Sequence, residues 1–165
     1  MSREQVDFET WYLGNHARLV ASLLLITGDL DITRDAVDEA CTRAFARWER
    51  VQRLDSPGGW AFRVALNTVR RRQRRAAMER RLLARRPPVA ELPEPAGEVW
   101  ELVRGLPLRQ RTAVVLRYVA DLTQTQIADA MGITRSTVSS LLADAHANIT
   151  KLIAPDPVDL ESQVV

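Results

Sequence analysis

One cysteine, two histidines and a single lysine among 23 basic residues stand in a chain of 165. Cys41 alone cannot close an internal disulfide, which fits a reducing compartment or a chain that makes no use of disulfides. It falls on an apolar helical stripe and reads as a buried structural thiol. His16 and His146 stand apart, without an HExxH or Cys-His spacing, so no metal centre is expected. No Gly-rich phosphate loop and no nucleophile elbow occur, and Gly58-Gly59 is expected in a turn. No cofactor is therefore expected, and these absences argue against an enzyme. Apolar runs such as Leu23 to Ile26 fall far short of the ~18 residues a membrane helix needs. The segment MSREQVDFET lacks the apolar stretch of a signal peptide. The expectation is a cytoplasmic chain without membrane insertion. No segment alternates with period two, so no strand is expected.

What remains is 46% hydrophobic and 27% charged, enough to build a globular core. The formal net charge of +2 hides a polar distribution. Residues 1–86 carry 17 arginines against 11 acids, whereas residues 98–165 carry six bases against eight acids. Between them lies PPVAELPEPAG, residues 87–97, with four prolines and no aromatic residue. Proline removes a donor and blocks helix, so this acidic segment reads as a linker. The expected architecture is all-α: two small helical domains, 1–86 and 98–154, joined by the Pro-rich linker and followed by an acidic tail, 155–165.

Three helices are expected before the linker. Asp7 can cap the first, whose apolar positions include Phe8, Trp11, Tyr12, Leu19, Leu23 and Ile26, and Gly28-Asp29 ends it. In the second, Val37, Ala40, Cys41, Ala44, Phe45 and Trp48 form one apolar stripe at i, i+3, i+4, i+7, i+8 and i+11. Ser56-Pro57 opens the third, which runs through Trp60, Val64 and Asn67 into an arginine run and must stop by Pro87-Pro88. After the linker a short helix spans about Val99 to Val103. Pro107 opens the next, through Val114, Val115, Leu116 and Tyr118. Thr123 with Gln126 makes a capping box, Gly132 ends that helix, and Thr134 caps a last one reaching about Ile153.

Three features carry candidate chemistry. The segment Thr123 to Ala147 has the pattern of a helix-turn-helix, with Ile127, Ala128, Met131, Ile133, Val138 and Leu142 inside the corner. Its second helix presents Arg135, Ser136, Thr137, Ser139 and Ser140 near its start, where such motifs meet the major groove. The plainer reading is a packed helical hairpin. The run Arg70, Arg71, Arg72, Arg74, Arg75, Arg80, Arg81, Arg85 and Arg86 follows Trp60 and Asn67 on one helix and can neutralise several phosphates. The plainer readings are a solvated face or an acidic protein partner. Asp35, Asp38 and Glu39, with Arg43 and Arg47, lie on the exposed side of the second helix, where local ion pairs alone would account for them.

Taken together, the chain resembles a bacterial RNA polymerase sigma factor of the extracytoplasmic-function group. Residues 105–149, GLPLRQRTAVVLRYVADLTQTQIADAMGITRSTVSSLLADAHANI, resemble region 4 of that family. Residues 27–51, TGDLDITRDAVDEACTRAFARWERV, and 56–75, SPGGWAFRVALNTVRRRQRR, look like region 2. The resemblance implies that region 2 holds the polymerase clamp and the melted −10 promoter element. Region 4 would hold the polymerase flap and the duplex −35 element. It places Asp35, Asp38, Glu39 and Arg43 on the core-binding helix. Trp60, Asn67, Arg70, Arg71 and Arg74 face opened promoter DNA, and Arg135, Ser136, Thr137, Ser139 and Ser140 face duplex DNA. Core polymerase and promoter DNA are the implied partners; an anti-sigma factor is common in the family, and no residue here requires one. Two departures stand out. Asp38 occupies a position that usually holds glutamine, and Ser139, Leu141, Asp144 and His146 occupy positions that are commonly basic. Weak duplex binding by the second half follows. That departure keeps open a sigma-like interaction protein with weakened DNA reading. A freestanding helix-turn-helix repressor would need a dimer, and no long apolar heptad supplies one.

Overall fold

The computed structural model describes residues 6–83 and 98–153, and every regular element among them is helical. The linker expected at 87–97, the tail expected at 155–165, and Arg85 and Arg86 lie outside the described residues. Before residue 84 the elements are α1 (Phe8–Thr27), α2 (Leu30–Ala46), α3 (Trp48–Val51) and α4 (Pro57–Leu83). After residue 97 come α5 (Glu98–Arg104), α6 (Leu108–Tyr118), α7 (Gln124–Met131) and α8 (Arg135–Ile153).

The helix boundaries follow local chemistry. The Asp7 carboxylate accepts from the Thr10 N–H at 2.7 Å, and Gly28 closes α1 in the left-handed region at φ 67°. Asp29 caps α2 through the Ile32 N–H at 2.9 Å. The Ser56 hydroxyl accepts from the Gly59 N–H at 2.9 Å, one residue ahead of the proline that opens α4, so Gly58-Gly59 lie in the first turn of that helix and not in the loop turn expected. Thr123 and Gln126 form the full capping box of α7, and Gly132 ends it at φ 67°. Thr134 caps α8 through the Thr137 N–H at 3.2 Å.

One expectation fails at the end of α2. The stripe from Val37 to Trp48 is not one helix: Arg47 leaves helical geometry at φ −127°, ψ 26°. Phe45, still within α2, sits at the edge of the stripe and stands 67% exposed. Its ring meets the Phe8 ring edge-on at 5.1 Å. Trp48 survives as a half-buried residue of α3, its ring tilted 43° to that of Trp11 at 5.2 Å, with its indole N–H donating to the Val6 carbonyl.

The buried apolar residues form one continuous core running from Trp11 to Ala145. Within the first half α2 packs on α4 and on α1; within the second, α8 packs on α6 and α7. The halves also meet: α7 lies against α4, and α6 against α1. Separate helical patterns in the sequence therefore share a single interior.

Candidate promoter and polymerase interfaces

Positions 60, 63, 67, 70, 71 and 74 recur at three and four residues and share one face of α4. Trp60 is half-buried near its start; Asn67, Arg70, Arg71 and Arg74 are exposed further along. Arg71 and Arg74 make no ion pair among the described residues, so their guanidiniums are available to anions. Arg75 pairs with Glu79 at 3.3 Å, one turn on. Arg70 is engaged: it reaches Asn67 Oδ1 at 3.5 Å and donates to the Met131 carbonyl of α7 at 3.0 Å.

On α2, Asp35 and Asp38 are exposed and Glu39 is half-buried, as the stripe requires. Arg43 grips Glu39 Oε1 through Nε at 2.6 Å. Asp35 is not isolated: its carboxylate meets the Arg72 guanidinium of α4 at 2.8 Å. The acidic face and the arginine helix are thus joined by a side-chain bridge that periodicity could not reveal. Cys41 lies behind this face. Burial first, and the Asp38 charge second, push its thiol up to about 11, so it stays protonated at neutral pH.

The second half differs in its chemistry. At the start of α8 the Thr134 hydroxyl lies 2.9 Å from Ser136 Oγ and 2.8 Å from Thr137 Oγ1, and the Ser140 hydroxyl donates to the Ser136 carbonyl at 3.2 Å. Arg135, Ser136, Ser139 and Ser140 are exposed, and Thr137 is half-buried. Of the four positions commonly basic in the family, Leu141 is not a surface slot, because it packs half-buried against the core. His146 is exposed, with Nε2 3.0 Å from the Tyr118 hydroxyl.

Helix α6 adds little free charge. The Arg117 guanidinium donates to the Leu122 carbonyl at 3.1 Å. Arg111 is half-buried, and its Nε is buried without a hydrogen-bond partner. Desolvation, and then the nearby Arg104 charge, weaken its hold on its proton. Arg109 alone of the three stands exposed.

Two halves with these geometries match one family in chain order. A sigma-70 region 2 family model matches residues 4–78, and a sigma-70 region 4 model matches residues 96–147. The chain belongs to the sigma-70 family. Its layout of region 2 followed by region 4 is that of the extracytoplasmic-function group. The RNA polymerase sigma-E factor of Streptomyces coelicolor is 26% identical over 93% of this chain and 90% of its own length. An uncharacterized protein of Rhizobium meliloti is 28% identical over 85% of this chain, and the match covers 38% of that relative. The chain therefore spans less than two fifths of the length of the first curated relatives it matches. Among solved structures, the sigma factor RpoE of Bartonella quintana, in complex with the anti-sigma factor NepR, superposes with a TM-score of 0.77. The identity is 20%, with 91% of this chain and 98% of that one covered, so the likeness is one of fold.

Proposed function

We propose that this chain directs core RNA polymerase to a subset of promoters, as a transcription initiation factor without catalytic chemistry of its own. The observation that carries the reading is a single chain holding region 2 and region 4 in order, with unpaired arginines on one face of α4. The exposed α2 face, with Asp35, Asp38, Glu39 and Arg43, docks on the polymerase clamp. The α4 face holds opened promoter DNA: Arg71 and Arg74 neutralise phosphates, Asn67 hydrogen-bonds, and Trp60 supplies a stacking surface. The α8 start, with Arg135, Ser136, Thr137, Ser139 and Ser140, meets upstream duplex DNA, and the second half docks on the flap. Extracting a base from the stack costs a few kcal/mol, which contacts on the unstacked base offset.

The domain division follows the same reading: 1–86 for the clamp and the −10 element, 98–154 for the flap and the −35 element. The site of action is the cytoplasm. Among the described residues no helix is long and apolar enough to cross a membrane. An anti-sigma partner belongs to the proposal, since the structural relative RpoE was solved with one.

A second reading has its own support. The base-poor start of α8 favours a sigma-like protein that binds polymerase or a regulator and reads DNA weakly. Run-off transcription with purified core polymerase on a panel of promoter fragments separates the two. Promoter-specific transcripts establish the first reading; assembly with polymerase but no specific transcript establishes the second.

A further inference from the structure

Where α1, α4, α6 and α7 come together, the side chains leave a cavity of about 290 Å³. Its walls are apolar: Ile26 of α1, Leu66 and Val69 of α4, Leu108 of α6, Met131 at the end of α7, and Ile133 in the turn that follows. Ile26, Leu66, Val69 and Met131 are buried, whereas Leu108 is 46% exposed and marks the open side. Empty apolar volume forfeits dispersion contacts along its lining, and water gains little there because it needs two to four polar partners. An engineered apolar cavity of about 150 Å³ stays dry and takes up benzene, so roughly twice that volume suits a body of about two fused rings.

The open side carries one sign of charge. Arg70 and Arg109 stand there exposed, with Gln73 half-buried beside the same cavity. Among the described residues no carboxylate lines it. Arg109 and Gln73 make no side-chain hydrogen bond or ion pair among the described residues, so their donors are uncommitted. Arg70 gives one N–H to the Met131 carbonyl at 3.0 Å, and a guanidinium with five donors keeps others. The Thr112 hydroxyl is spent on the Leu108 carbonyl at 2.7 Å. The polar chemistry of the mouth therefore comes from two guanidiniums and one amide.

We propose that this cavity is a binding site for a small amphipathic carboxylate. The apolar body fills the space between the helices, and the carboxylate meets Arg109 and Arg70 at the mouth. The inference stands apart from the promoter reading, because it needs only the packed chain.

The walls and the mouth select that chemistry together. A planar guanidinium matches a carboxylate through paired, charge-assisted hydrogen bonds. A nucleobase fits poorly, since its edge donors and acceptors would face Leu66, Val69 and Ile133 without partners. A peptide segment meets the same obstacle through its backbone groups. An uncharged polycycle gains the apolar contact but leaves both guanidiniums unanswered.

The probe is 2-naphthoate, ionised at neutral pH, with 2-naphthalenemethanol as its uncharged counterpart. Each is titrated into the full chain. The sequence has three methionines, Met1, Met78 and Met131. Methyl-labelled methionine followed by NMR therefore reports the cavity through Met131. Exposed Met78, outside the cavity, reports adsorption to open apolar surface. Met131→Leu, which nearly conserves volume, assigns the signal.

The expected result is a saturable shift of the Met131 methyl with Met78 unmoved, at a dissociation constant below about 1 mM. The thermal midpoint should rise with probe concentration, because the site exists only in the folded chain. The alcohol should bind about fivefold more weakly or worse. Arg109→Gln should remove most of that difference and leave binding of the alcohol unchanged. Leu108→Trp, which adds bulk at the mouth, should weaken both probes. A Met131 signal that stays still, or a shift that never saturates and is shared by Met78, overturns the site. Equal binding of naphthoate and alcohol by the unmodified chain overturns the carboxylate assignment. Those two readings need no variant, so they hold even where a substitution prevents folding. A folded Arg109→Gln chain that keeps the full preference for naphthoate overturns the role of Arg109.

Discussion

The two halves of this chain differ in what they spend their surface on. The first presents an arginine-lined helix face and an acidic helix face, bridged by Asp35 and Arg72. The second has the sharper helix-turn-helix: a full capping box, a left-handed Gly132 and a corner built on Ile127 and Val138, both fully buried. Yet helix α8 opens with one arginine and a set of hydroxyls: Thr134 shares hydrogen bonds with Ser136 and Thr137, and Ser140 donates to the Ser136 carbonyl. Fold specification and surface charge are therefore separable. Caps, turns and apolar spacing fix a helix-turn-helix whether or not its surface carries charge for phosphates.

The largest expected effect concerns whether the halves are independent bodies at all. Leu23 is fully buried in α1, which packs against α6 of the other half. Leu23→Ala should cost roughly 2–5 kcal/mol, the usual range for a truncated core leucine. Because the core is continuous, the loss should reach both halves. Thermal unfolding should remain one transition at lower temperature, and amide exchange should accelerate in α8 as well as in α1. If α8 keeps its protection while α1 loses it, the halves are independent and the contrast becomes one between two domains.

Next in size is the acidic face. Replacing Asp35 and Asp38 by arginine should weaken assembly with core polymerase by about tenfold or more, since like-charge contacts across an interface are strongly unfavourable. The fold should change little. Asp35 and Arg72 are about half exposed, and such pairs contribute ~1 kcal/mol or less. Unchanged circular dichroism with lost assembly, followed by gel filtration with polymerase, supports the docking role. Unchanged assembly removes it.

Smaller again is the arginine face. Alanine at Arg70, Arg71 and Arg74 removes three candidate phosphate contacts. For single-stranded DNA each contact contributes ~0.7 to the slope of log affinity against log salt, so the slope should fall by about 2. Titrations of a forked promoter fragment by the polymerase complex at several salt concentrations measure it. An unaltered slope would show that these side chains face solvent in the complex.

Much of the fold was legible from local signals, because those signals act locally. Asp7, Ser56-Pro57, Thr123-Gln126 and Gly132 each satisfy or release backbone groups within one helical turn, and each element begins or ends where they stand. The burial of Val37, Ala40, Cys41 and Ala44 followed from spacing alone. What spacing could not supply was anything set by another element. The break at Arg47 puts Trp48 on a separate short helix, where its ring meets Phe8. Arg72 looked like one more member of a basic run until α2 brought Asp35 to it. Arg70 looked free until α7 placed a carbonyl 3.0 Å away. Leu141 looked like a lost basic contact and is instead part of the packed side of α8.

The smallest expected effect would sharpen the contrast between the halves most directly. From Thr134 to Ile149 the sequence has one base, Arg135, one acid, Asp144, and His146, whose ring lies beside the Tyr118 hydroxyl. Phosphate neutralisation supplies most of the affinity of helix-turn-helix proteins for duplex DNA. Arg117 and Arg111 cannot readily make up the shortfall, because one is bonded to Leu122 and the other is half-buried. Hydroxyls can still donate to base edges, but without charge. The full chain should therefore bind a −35-type duplex no better than micromolar at about 150 mM salt, close to non-specific affinity. Polymerase would raise the effective concentration of the domain beside the promoter and make weak contacts sufficient. Ser139→Lys with Ser140→Arg adds two cations at exposed positions of α8 without touching the packed Leu141. If both cations reach phosphates, duplex affinity should rise severalfold and the salt slope should steepen by about 1.8. Fluorescence anisotropy with specific and shuffled duplexes distinguishes the outcomes. Nanomolar, sequence-specific binding by the unmodified chain alone would erase the difference between a charged first half and an uncharged second.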